Sequence, residues 1–142
     1  MAKRVVVLGA GATGEAFTAT LRRLEPEAEL TVIEHQLVGG ECSYWACIPS
    51  KTLLRPLEVV ARARIAPGAA EAVNGPIDVA QVFAWRDFMA GKDDSSHVDW
   101  LDKQGAAFVR GSAEFAEPGL VRVDGREIPY DDVLVSTGSL PA

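Results

Sequence analysis

Six residues near the amino terminus constrain the fold more than any others: Gly9-Ala10-Gly11-Ala12-Thr13-Gly14, a G-x-G-x-x-G run. A short β-branched stretch, Lys3 to Leu8, precedes it and reads as a buried strand. A stretch from about Thr13 to Leu24 follows. Its residues Ala16, Phe17, Ala19, Thr20, Leu21 and Leu24 fit a helix packed on a sheet, and Pro26 stops it. Glu29 to Glu34 reads as a second strand. Strand, helix and strand in succession make a βαβ unit, which implies a parallel sheet. In such a unit the first glycine permits the tight turn, the second lets backbone approach a pyrophosphate, and the third lets helix and strand pack closely. The helix N-terminus adds unpaired N–H groups and a positive dipole end. Glu34 closes the second strand, where a carboxylate can accept both ribose hydroxyls of an adenosine. The competing reading, a plain turn and a solvated strand end, leaves the joint spacing of these residues unexplained. The motif does not separate NAD from FAD.

Gly39-Gly40 opens a segment of helical character that runs to about Arg64. Ala66 to Asp78, with two prolines and two glycines, reads as a loop. Val79 to about Gln104 reads as one amphipathic helix with Gly91 as its weak point. Trp85 and Trp100 are expected in its core face, and Lys92-Asp93-Asp94-Ser95-Ser96 is expected to be a solvated turn or helix end. Ala107 to Arg110 and Val133 to Ser136 read as strands. Leu120–Val123 and Arg126–Pro129 flank Asp124-Gly125, a strong two-residue hairpin signal. The expected fold class is α/β: a Rossmann-like parallel sheet with flanking helices and a small antiparallel β-hairpin or meander insertion.

The chain has 142 residues, 48% hydrophobic and 24% charged, the balance of one globular unit. Its net charge of −6, with no Lys/Arg cluster, argues against a nucleic-acid partner. No apolar run approaches the ~18 residues of a spanning helix, so no membrane partner is expected. The start, Met1-Ala2-Lys3-Arg4 and then an apolar run, mimics a signal peptide, but Gly9 and Gly11 interrupt it at once. A cytoplasmic, reducing compartment is the expectation, and there two cysteines suggest redox chemistry or metal binding more than a static crosslink.

Those cysteines lie in Gly39-Gly40-Glu41-Cys42-Ser43-Tyr44-Trp45-Ala46-Cys47-Ile48-Pro49-Ser50-Lys51, spaced C-x₄-C. On a regular helix, residues five apart have Cα atoms about 8.7 Å apart. A disulfide needs them within roughly 7 Å. The pair therefore oxidises only where the helix is irregular, and Pro49, which lacks a backbone donor, is one plausible cause. Lys51 follows Cys47 by four residues, on the same helical face, where its cation would favour a thiolate. Redox chemistry, inert buried thiols and half of a zinc site all fit the spacing. For zinc, however, no second Cys/His pair exists, and His35 and His97 lack ligand-like spacing, so no metal ligands are assigned.

The whole run resembles the redox-active signature of the class I pyridine nucleotide–disulfide oxidoreductases, whose usual form is G-G-T-C-x-x-x-x-C-I-P-S-K. This family includes dihydrolipoamide dehydrogenase, glutathione reductase and mercuric reductase. The glycine turn and Glu34 match its N-terminal FAD half-site in order and spacing. Arg110 to Phe115 resembles its segment against the flavin adenine, and Val135-Ser136-Thr137-Gly138-Ser139 its A-T-G-S strand end. The resemblance implies that Gly9, Gly11, Gly14 and Gly40 cradle the FAD pyrophosphate region and that Glu34 holds the adenosine ribose. It further implies that Ala113 meets the adenine, that Thr137 and Gly138 close near the phosphates, and that Lys51 reaches the flavin. Cys47 would take electrons from the flavin. Cys42 would exchange with a small-molecule thiol or disulfide substrate, the two cysteines forming a redox disulfide.

Three departures stand out: Glu41 replaces threonine, Tyr44-Trp45 replaces smaller residues, and Ala12-Thr13 stands where Pro-Ala is frequent. The family's NAD(P)-binding domain, dimer-forming domain and C-terminal acid–base pair have no counterpart in these 142 residues. The expectation is that residues 1–142 form the N-terminal half of an FAD-binding domain. Such a half would be inactive by itself, and would belong to a homodimeric enzyme using NAD(P)H as co-substrate. The alternative is a non-catalytic, truncated nucleotide-binding module.

Overall fold

The computed structural model describes residues 2–139. In chain order the elements are β1 (Arg4–Leu8), α1 (Ala12–Leu24), β2 (Glu29–Glu34), α2 (Gly40–Tyr44), α3 (Cys47–Ile65), α4 (Val79–Met89), α5 (Ser95–Lys103), β3 (Ala106–Arg110), β4 (Ala113–Glu117), β5 (Leu120–Val123), β6 (Arg126–Pro129) and β7 (Asp132–Val135). A short 3₁₀ turn occupies Ala70–Ala72. The chain divides into two compact units, residues 1–40 with 93–142, and residues 41–92.

The first unit is built on a parallel sheet ordered β3-β2-β1-β7. Strand order reverses at β1, with β2 and β3 on one side and β7 on the other. Such a switch point opens a crevice at the carboxyl ends of the strands. Side chains of β1 alternate between faces. Val5 and Val7 join Leu30, Val32, Val38 and Leu101, with Phe17, Leu21 and Trp100 packed against them. Val6 and Leu8 join Ile33, Val121, Val123 and Ile128. Helices α1 and α5 thus cover one face, and the antiparallel meander β4-β5-β6 covers the other. Each fully buried valine of β1 contributes about 1.5–3 kcal/mol. Asp124 (φ 48°) and Gly125 (φ 81°) make the β5–β6 turn with both φ values positive, as a two-residue hairpin requires. The expected α/β class, parallel sheet and antiparallel meander are all present, and β4 extends the expected hairpin to three strands.

Several sequence expectations shift. The core face of α1 is Gly14, Phe17, Thr18 and Leu21, spaced i, i+3, i+4, i+7, while Ala16, Ala19, Thr20 and Leu24 face solvent. The single helix expected over 79–104 is two helices, α4 and α5, parted around Gly91. Trp100 packs on the core as expected, but Trp85 is 41% exposed. Its helix α4 belongs to the second unit, where α3 packs along α4. Two helices enclose little between them, and Leu54, Leu57, Phe83 and Phe88 are exposed as well. Among the described residues no helix is long and apolar enough to cross a membrane.

Candidate functional site

The glycine turn is held by close backbone contacts. Gly9 has φ 95°, and a Cβ there would lie 2.4 Å from the Ser136 carbonyl oxygen. At Gly14 a Cβ would meet the Gly9 carbonyl oxygen at 2.1 Å. Both positions are closed to any side chain. Gly11 differs: the nearest atom to a Cβ there is the Gly40 Cα at 3.9 Å, an ordinary contact. Packing among the described residues therefore does not demand glycine at 11, and the space above it is available to a ligand. Gly11 is also the N-cap of α1 and brings no capping side chain, so the first-turn N–H groups point out of the helix end. Glu15, in that first turn, would oppose an anion there, but its carboxylate lies 2.6 Å from His97 Nδ1.

The walls of this cradle are fixed from three sides. Glu34 is buried, and its carboxylate accepts from the Ala10 N–H (2.9 Å) and the Gln36 N–H (2.7 Å), with the exposed His35 at 3.1 Å. Oε1 faces both Gln36 and His35, whereas Oε2, which accepts from Ala10, keeps a further lone pair, the capacity needed to accept from a hydroxyl. Ser136 donates its Oγ–H toward the Leu8 and Gly9 carbonyl oxygens (3.1 and 2.8 Å), and its N–H to Leu8 (2.8 Å). Gly39 donates its N–H to Ala10 (2.7 Å) and bridges to Gly11, and Gly40 (φ 63°) passes so close that a Cβ would sit 2.8 Å from the Gly11 Cα. Gly111 donates its N–H to the Glu34 carbonyl (3.0 Å), which keeps the start of β4, and Ala113 with it, at the Glu34 end. Thr137 and Gly138 follow β7 and are exposed, with open space around Gly138.

The cysteines belong to the second unit, and their local backbone is irregular as the spacing arithmetic required. Helix α2 ends at Tyr44, where the Glu41 carbonyl accepts from both Trp45 and Ala46 N–H groups (2.9 and 2.8 Å). Ala46 is non-helical (φ −122°, ψ −84°), and α3 starts at Cys47. The break thus lies before Cys47 rather than at Pro49. Pro49 sits in the first turn of α3, where its missing N–H has no helical partner to lose. Cys42 and Cys47 are both free and half-buried, and their thiols are hydrogen-bonded to one another. That bond is the largest cause holding the Cys42 thiol above its ordinary pKa, with burial and the Cys47 charge adding to it and the Lys51 cation opposing it. Glu41 and Lys51 are exposed. Trp45, between the cysteines, is flanked by the Tyr44 ring (centroids 5.6 Å apart) and the Lys92 ammonium (5.5 Å from the ring centre).

The structure therefore gathers Gly9, Gly11, Gly14, Glu34, Gly40, Thr137 and Gly138 at the carboxyl ends of β1, β2 and β7, with Ala113 just beyond β3. Cys42, Cys47 and Lys51 form a separate group in the second unit. A crevice of backbone glycines at a strand switch point, together with two free, hydrogen-bonded thiols on either side of a helix break, agrees with what sequence comparison shows. The pattern of the family described as pyridine nucleotide-disulphide oxidoreductase matches residues 3–142.

The chain belongs to the pyridine nucleotide-disulphide oxidoreductase family. Among its relatives, mercuric reductase of Staphylococcus aureus is 30% identical over 140 residues, covering 97% of this chain and 25% of that protein. Dihydrolipoyl dehydrogenase of Halobacterium salinarum is 31% identical over 144 residues, covering 96% and 30%. The crystal structure of LpdA from Mycobacterium tuberculosis superimposes with a TM-score of 0.77 at 26% identity, over 99% of this chain and 32% of that one. The chain thus spans 25–32% of the length of these relatives.

The residues that the sequence pattern does not point to are those that brace the glycine turn from a distance. Ser136 was read only as part of a strand end. Asp94 was read as part of a solvated run. Its carboxylate in fact accepts from the Val38 N–H (2.8 Å) and Arg110 Nη2 (2.5 Å). Burial pushes the Asp94 carboxyl up, but the Arg110 and Val38 bonds outweigh it and hold the pKa below its ordinary value. The polar run Lys92 to Ser96 carries no signal for either contact.

Proposed function

We propose that residues 1–142 form the N-terminal, dithiol-bearing half of the FAD-binding domain of a flavoprotein disulfide oxidoreductase. The observation that carries this reading is the hydrogen-bonded Cys42–Cys47 pair across a break at Ala46, with Cys47 four residues before Lys51. Inert thiols need no such irregularity. The open space over Gly11 supports a dinucleotide there, because glycine serves no packing need among the described residues, and the family favours FAD as that dinucleotide. Gly9, Gly11, Gly14 and Gly40 would hold the pyrophosphate region, Glu34 the ribose, Ala113 the adenine, and Thr137 and Gly138 the far side of the phosphates. Lys51 would reach the ring.

When bound, FAD would accept a hydride from NAD(P)H and pass two electrons to sulfur. The chain's own part is thiol–disulfide exchange. As the Cys42–Cys47 bond breaks, the pair takes up two electrons and two protons. The Cys42 thiolate then attacks a sulfur of a small disulfide substrate, expelling one substrate thiol and forming a mixed disulfide. Cys47, as thiolate, attacks Cys42 Sγ, releases the second substrate thiol and re-forms the internal bond. The NAD(P)-binding and dimer-forming portions of such an enzyme would lie outside this chain, and the working form would be a cytoplasmic homodimer.

The test is to replace Cys47 with Ser in the natural protein that carries this chain. FAD should be retained, and NAD(P)H-dependent reduction of a disulfide such as lipoamide or oxidised glutathione should fall at least 10³-fold, the scale of losing an essential group. Unchanged disulfide reduction by the variant would leave the nucleotide-binding module as the better reading.

A further inference from the structure

Asp94 stands at the N-cap of α5 yet caps nothing: its side chain makes no hydrogen bond to its own helix. Asp93 instead accepts from the Ser95 N–H at 3.0 Å. An aspartate in this place ordinarily stabilises its helix by about 1 kcal/mol through such a bond. Here the carboxylate reaches across the unit, and its side chain is only 14% exposed. It accepts from the Val38 N–H, in the turn after β2, and from Arg110 Nη2, at the end of β3. Arg110 is itself set by the parallel pairing of Glu34 with Arg110 and by the Phe108 ring 4.8 Å from its guanidinium carbon. Val38 is fully buried, and the next two residues are the glycines that lie against Ala10 and Gly11.

We infer that Asp94 is a positioning residue, which, by holding Val38 against Arg110, fixes the distance of Gly39-Gly40 from Gly11 and so sets the affinity of the cradle for its dinucleotide. The inference rests on the proposed reading of that cradle as an FAD site. The bond from the Val38 N–H needs an acceptor oxygen at 94. The amide of asparagine keeps one acceptor oxygen, and alanine keeps none.

The experiment compares D94A and D94N with the unchanged natural protein, stripped of flavin. Three quantities are read: the dissociation constant for added FAD, the thermal midpoint of the flavin-free form, and hydrogen exchange at the Val38 amide. D94A should weaken FAD tenfold or more and speed Val38 exchange. D94N should stay within threefold of the parent in FAD affinity and keep Val38 protected, although both variants lose the Arg110 charge pair and both melt earlier. Equal FAD affinity in D94A and parent would overturn the inference while leaving the cradle reading intact. Losses of affinity that are the same in D94A and D94N would also overturn it, since they would track stability alone. Should D94A fail to fold, D94N carries the test, and a tenfold weakening in it counts against the inference. No FAD binding by the parent would sink the cradle reading and the inference together.

Discussion

The missing Cβ of Gly9 would lie 2.4 Å from the carbonyl oxygen of Ser136, whose own Oγ–H is directed at the Gly9 carbonyl 2.8 Å away. The first glycine of the turn and the end of the last strand are thus locked together across 127 residues of sequence. The same turn holds a glycine, Gly11, that no described residue crowds.

This contrast separates fold from ligand. Gly9→Ala combines a positive φ with overpacking, and should cost about 2–5 kcal/mol of stability. Gly11→Ala should cost less than about 1 kcal/mol, as an unfavourable N-cap, yet weaken FAD binding by tenfold or more. Urea unfolding and flavin titration of both variants check the pair. Ser136→Ala, which removes the Oγ–H, should cost about 0.5–1.5 kcal/mol.

Asp131 supplies a prediction about acid stability. The Arg4 side chain and N–H both donate to its carboxylate, and these bonds lower its pKa to about 2. An unfolded Asp titrates near ~3.9. The pair therefore stabilises the native state above that value, and its contribution is lost as pH falls from about 4 through about 2. The urea midpoint of the parent should drop across this window, whereas D131N should start lower at neutral pH and show a shallower fall. Parallel curves for the two proteins would show that the pair is energetically silent.

The thiol pair predicts a titration. Because the Cys47 sulfur is the main cause of the raised Cys42 pKa, Cys47→Ala should move the pH midpoint of Cys42 alkylation downward. Lys51→Met should move it upward, since the lysine cation opposes the rise. Rates of iodoacetamide reaction against pH in the reduced protein give both shifts. Opposite signs would mean that the two thiols do not share a proton.

What the sequence disclosed, and what it did not, follows from the range of each interaction. The strand–turn–helix around Gly9 to Gly14 was legible because its requirements are local: a positive φ, a close approach, an uncapped helix end. The spacing of Cys42 and Cys47 demanded a helix break, but its location at Ala46 depends on how the Glu41 carbonyl is shared, and Pro49 was the wrong landmark. The amphipathic pattern over 79–104 could not reveal that its two halves belong to different units, so Trp85 was placed in a core it does not enter. Asp94 was misread because its partners, Val38 and Arg110, lie 56 and 16 residues away.

The most direct measurement is an anaerobic dithionite titration of the oxidised natural protein that carries this chain, with thiols counted at each point. The account predicts four electrons taken up per bound FAD, with two thiols appearing and long-wavelength absorbance at the half-way stage that is lost when Cys42 and Cys47 are alkylated. Uptake of only two electrons, with the thiol count unchanged throughout, would contradict it.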